Sequence, residues 1–254
     1  MSLITVERIK LFSTRSPWWC MVLALALADG FVTLGFIFAP DNITRDFRPV
    51  DTISTYNFGL MVMMVMAALA VTTEYRFGTI RTSFLSVPQR TPVLLAKTGV
   101  AAVLSGLIGL ISAFVALGLG NILVPDADLG LSTGADWRAI VGVAPVYLLS
   151  AVIAVAVGIM VRQSAGAIAI VICWPLLIEG IGRAIPKVGD FIGDWGPFSR
   201  VDWWLTGDQK PGGNAGAPSA HAAVMGPTWS LVYFAAWAIG LLVIALVIAK
   251  KRDA

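Results

Sequence analysis

Six apolar runs, each about the length of a bilayer crossing, constrain this chain more than any motif it carries. A hydrocarbon core of roughly 30 Å takes about 20 apolar residues per helix. The runs lie at about 18–39, 53–73, 98–120, 139–161, 165–183 and 228–249. Composition agrees: 57% of the 254 residues are hydrophobic and only 13% charged, and the mean hydropathy is +0.83, well above a domain with a polar exterior. The sequence therefore predicts an all-α integral membrane protein, with six transmembrane helices in a single domain over residues 1–254. The first run exceeds the 7–15 residues of a signal-peptide core and no A-x-A site follows it, so it reads as a retained span.

Charge sets the expected orientation. With both ends in the cytoplasm, the inner segments hold eleven basic against three acidic residues, and the outer loops hold seven basic against ten aspartates. Orientation follows Lys and Arg near span ends, which favours this arrangement. Trp18, Trp19, Trp137, Trp203, Trp204 and Trp229 fall at the expected span ends, where amphipathic rings prefer the headgroup level. Small residues recur at four-residue spacing in Ser105, Gly109 and Ala113, in Ala154 and Gly158, and in Ala236 and Gly240. This is the spacing of close helix contacts in membranes, within one subunit or along a dimer seam.

Several chemistries are excluded. There is no GxxxxGK[ST] loop and no Gly-Lys dipeptide, so the chain has no Walker-type ATP site of its own. HExxH is absent, and the one GxSxG string, Gly130-Leu131-Ser132-Thr133-Gly134, lies in a connection between apolar runs and not in a strand-to-helix nucleophile elbow, so neither protease nor hydrolase chemistry is expected. The single histidine, His221, sits in a Gly/Ala/Pro-rich loop, and Cys20 and Cys173 lie in separate apolar runs without metal or disulfide spacing. The pI near 9.0 comes from basic residues scattered between spans, with no stripe for nucleic acid. Asn42-Ile43-Thr44 is a short sequon of no weight here.

The stretch TEYRFGTIRTSFLSVPQR, residues 73–90, interrupts this apolar pattern between the second and third runs. As a helix over 75–87, it places Phe77, Ile80, Phe84 and Val87 on one side. Thr79, Thr82, Ser83 and Ser86 fall opposite, Arg76 and Arg81 flank the stripe, and Pro88 ends it. A short amphipathic helix on the inner surface is expected, either a plain structural loop or a dock for a cytoplasmic protein. Residues 3–16 also read as an interfacial helix, with Leu3, Val6 or Ile9, and Phe12 on one side and Glu7, Arg8, Lys10 and Arg15 elsewhere. The alternative is a basic flank that only orients the first span.

The order Glu74, Gly78-Thr79, Leu85-Ser86-Val87-Pro88, Arg90 and Lys97 resembles the permease subunit of type-2 ATP-binding cassette (ABC) transporters. In that family the second span ends in a glutamate, followed by a Gly-Thr pair, a Pro-x-Arg-type segment and a lysine entering the third span. The motif covers about 25 residues, and the six spans, the N-terminal segment and the long loop before the last span agree with it over almost the full chain. The resemblance implies a coupling segment over 74–92 that docks on an ATPase through Glu74, Arg76, Gly78, Thr79, Arg81, Phe84, Pro88 and Arg90. Glu74 would be an ionic anchor for Arg76, Arg81 or the partner, and Gly78 would allow close backbone approach. Residues 1–17 would be the connecting helix, and residues 184–227 would include re-entrant outer helices capping the exit. The resemblance also implies two cytoplasmic ABC ATPases carrying ATP and Mg, a second permease copy or homologue, and a bacterial plasma membrane.

Ionisable groups within the spans are the remaining candidates. Asp29 near the middle of the first span and Glu179 in the outer half of the fifth are costly there unless paired or hydrated. Arg183, at i+4 from Glu179, offers it an ion pair, whereas Asp29 has no local partner. Met61, Met63, Met64 and Met66 crowd the second span, as core packing or as a pliable surface for hydrophobic cargo. Tyr56 and Asn57 near its outer end complete the pathway candidates, with Asp29, Met63 and Glu179. An ATP-driven exporter subunit is thus the expectation. The alternatives are an ion- or proton-coupled carrier and a non-transporting immunity or scaffold protein.

Overall fold

The computed structural model describes residues 3–40, 44–78, 90–182, 185, 188–207 and 225–252, and among them every regular element is helical. Six helices are long and apolar enough to cross a membrane: Ser16–Phe38, Tyr56–Phe77, Thr91–Leu123, Gly134–Val161, Ser164–Ile181 and Pro227–Lys251. These are the six expected runs, here called the first to sixth spans. The face on which the first span begins is called proximal below, and the opposite face distal.

The third helix covers 34 residues, Arg90–Leu123. At 1.5 Å per residue it is about 50 Å long, well beyond the hydrocarbon thickness. The second also outruns its apolar stretch, reaching Phe77 before Gly78 turns left-handed at φ 71° and ends it. Residues 75–77 therefore continue the second span, and the helix expected over 75–87 does not begin where its periodicity placed it. Residues 79–89 lie outside the described residues, and with them Thr79, Arg81, Phe84 and Pro88.

The fourth span is the most buried of the six and packs on the second, third and sixth. Tyr147 shows how. A Cβ on Gly59 would lie 2.6 Å from its hydroxyl, and one on Gly109 would lie 2.6 Å from its ring. Two neighbouring spans therefore give up side chains to admit one aromatic, whose hydroxyl donates to the Tyr56 carbonyl at 2.7 Å. Gly158 likewise approaches the Ala68 carbonyl of the second span. Two of the small-residue repeats thus serve contacts within the subunit, while a Cβ on Gly240 would meet nothing within 4 Å.

The N-terminal helix, Leu3–Phe12, lies against the start of the third span. It ends four residues before the expected 16, and Phe12 stacks on Trp18 with ring centroids 5.4 Å apart. Its inward residue is Glu7, while Ile4 and Ile9 are exposed. At the distal face two short helices, Val188–Trp195 and Pro197–Thr206, stand between the fifth and sixth spans, and the second packs on the fourth and sixth. Trp203 and Trp204 belong to that helix and not to a span end.

A buried charge network and two intramembrane carboxylates

Three elements meet in one cluster of charges at the proximal face. Lys97, seven residues into the third helix, sends its ammonium to Glu7 Oε2 at 2.5 Å and to Glu74 Oε1 at 2.8 Å. Lys10 lies 3.2 Å from Glu7 Oε1 and 3.7 Å from Glu74 Oε1. The side chains of Glu7 and Lys97 are only 4% and 7% exposed, so water screens them little. One ammonium between two carboxylates offsets the desolvation of each, and its removal would leave two uncompensated anions. Glu74 Oε2 is buried without a hydrogen-bond partner among the described residues, beside a recess of about 360 Å³ whose lining includes Thr14, Thr73 and Phe77.

Of the expected partners of Glu74, Arg76 is corrected, while Arg81 lies outside the described residues. Arg76 is exposed and lies over the Phe77 ring, 5.7 Å from its centroid, while lysines of the third span and the N-terminal helix hold the carboxylate. Arg76, two residues on, lies about 200° round the helix from Glu74, so nearness in sequence does not pair them. At Gly78 a Cβ would meet nothing within 4 Å of the described residues. What the chain itself requires of it is the positive φ that stops the helix. Arg90 opens the third helix. Lys97, Glu7 and Lys10 were absent from the sequence-based site. Their signal was isolation: Lys97 is the lone cation of the third helix after Arg90, and Glu7 the lone acid of its segment.

Glu179 sits where the fifth span, α-helical over Ser164–Cys173, widens to i→i+5 hydrogen bonding over Trp174–Ile181. It is 2% exposed. The Trp174 indole donates to its Oε1 at 2.7 Å, and the Ser199 amide and hydroxyl donate to Oε2 at 2.7 and 3.0 Å. Ser199 is in the first turn of Pro197–Thr206, so the carboxylate meets the positive end of that helix. The expected ion-pair partner, Arg183, lies outside the described residues. Glu179 reads as the staple of the distal helices and not as a free pathway group. Beside it, Arg200 is 1% exposed and donates from Nε to the Asp194 carbonyl at 2.5 Å.

Asp29 is 7% exposed, and its partner comes from another span: the Ser112 hydroxyl donates to Oδ1 at 2.7 Å. Tyr56, 8% exposed, donates to Asp202 Oδ1 at 2.6 Å and so ties the second span to the distal helix. Asn57 is half-buried beside it. Met63 is 1% exposed in the core, which favours packing over a pathway role. Its neighbour Met64 instead lines a wholly apolar cavity of about 180 Å³, together with Trp174, Phe198 and Trp237. Asp29 and Tyr56 thus share one polar neighbourhood, and Glu179 belongs to another.

No family model, curated protein or solved structure matches the chain.

Proposed function

We propose that the chain is the transmembrane subunit of an ATP-driven exporter of the type-2 ABC class. The observation that carries this reading is Lys97 bridging Glu7 and Glu74. The network fastens the N-terminal helix to the second and third spans at the two ends of the 79–89 segment, where a coupling element would need rigid attachment. In this reading the proximal face is cytoplasmic, both termini lie there, and residues 79–89 dock on an ATPase subunit that holds ATP and Mg. Closure of the ATPase pair moves that segment. Gly78 on one side and the Arg90–Lys97 turns on the other pass the motion to two spans, and the buried ion pairs carry the N-terminal helix with them. A second permease copy or a related chain completes the pathway in a bacterial plasma membrane.

A photo-crosslinking residue placed at Phe84 in native membranes tests this. The expected adduct is a nucleotide-binding ATPase, formed at 84 and not at the distal position 132. A gradient-driven carrier is the second reading, favoured by the buried Asp29. It predicts no ATPase adduct at 84 and transport that persists without ATP.

A further inference from the structure

We infer that Asp29 and the recess beside it bind a lipophilic cation, an ammonium- or phosphonium-like charge carried on a hydrocarbon body. The inference rests on the export reading and names the cargo class. Asp29 is more than nine-tenths buried on a spanning helix, and its carboxylate has one side-chain donor, the Ser112 hydroxyl. Two carboxylate oxygens offer about four acceptor sites, and no cationic side chain forms an ion pair with Asp29 among the described residues.

The other buried carboxylates differ. Glu7 and Glu74 share lysines, and Glu179 is held by an indole, an amide and a hydroxyl. Asp29 is the carboxylate whose charge the described protein leaves uncompensated inside a hydrocarbon layer, where such a charge seeks a partner.

The space around it selects the partner. Asp29 lines an open hollow of about 520 Å³ on the flank of the first span, with Leu25, Phe31 and Leu34 of that helix and Leu119 of the third span around it. Gly30 keeps the approach open, since a Cβ there would meet nothing within 4 Å. Phe31 adds an aromatic ring, favourable to a cation. On its other side Asp29 borders a void of about 10 Å³ shared with Thr52, Thr55 and Tyr56, near the size of a single water. Asp29 is the one carboxylate lining either space, and among the described residues no group of three or more His, Cys, Asp or Glu is placed to hold a metal ion. An anion at depth between apolar walls suits a cation with a hydrocarbon body.

The probe is radiolabelled tetraphenylphosphonium, measured by equilibrium dialysis against the full chain in lipid nanodiscs, with triphenylphosphine oxide as the uncharged control. Saturable binding is expected, weakened at least about tenfold in Asp29→Asn by loss of the buried charge partner, with the control unchanged. Gly30→Leu fills the recess without touching the carboxylate and is expected to weaken binding as well, which keeps the test decisive if Asp29→Asn fails to fold. Wild-type phosphonium affinity in either variant, or no saturable binding to the unaltered chain, overturns the site. Co-elution of the ATPase with the unaltered chain is scored on the same preparations. Its absence counts against the export reading alone, and unchanged affinity in Asp29→Asn counts against the site alone.

Discussion

Lys97 decides the behaviour of the proximal face at the scale of single residues. Lys97→Met removes the shared ammonium and leaves Glu7 and Glu74 buried with only the half-exposed Lys10 between them. A loss of about 3–5 kcal/mol is expected for breaking such a pair, read as a lower thermal midpoint in detergent. Adding Glu7→Gln and Glu74→Gln removes the stranded charges, so the triple variant is expected to melt above Lys97→Met alone. A triple variant no more stable than the single one would show that the three groups do not share one electrostatic unit. The sequence exposed each of these residues as an outlier but not the bond between them. Glu7 and Lys97 are 90 positions apart, and neither periodicity nor spacing reports a contact made only when helices pack.

Elements were legible to the extent that lipid dictates them. All six spans occur where the apolar runs predict them, because each must bury about 20 residues in hydrocarbon. Boundaries slipped where helices run past the apolar layer, as at Phe77 and Arg90, since polar residues continue a helix as well as apolar ones. The short distal helices were expected only through the resemblance, which implied outer helices within 184–227, and their anchoring by Glu179 was not legible, because Arg183 offered the simpler pairing in sequence. Gly196 tests that anchor: a Cβ there would lie 2.5 Å from both Glu179 Oε2 and the Ile192 carbonyl. Gly196→Ala is expected to dislodge the start of Pro197–Thr206 and raise hydrogen exchange across that helix, with the spans unaffected. Protection equal to the unaltered chain would contradict the tight fit. Tyr56→Phe removes the bond to Asp202 and is expected to cost about 1 kcal/mol, read as a small drop in thermal midpoint.

At the scale of the whole molecule, a six-span bundle is clamped by charge at one face and capped by short helices at the other. The proposed orientation, with the proximal side inward, rests on the excess of basic residues on that side. Cysteines introduced at Ser13 and Ser132 are therefore expected to react from opposite sides of the membrane, Ser132→Cys with an impermeant maleimide added to intact cells and Ser13→Cys only after permeabilisation. Labelling of both from outside would reverse or break the topology. The central claim is that this bundle works under an ATPase. The most direct measurement is purification of the tagged chain from its native membrane in mild detergent, with co-eluting proteins identified and quantified by mass spectrometry. The account predicts a Walker-type ATPase in stoichiometric amount, depleted when Glu74→Ala and Arg81→Ala are combined. An intact permease that elutes without any ATPase would contradict it.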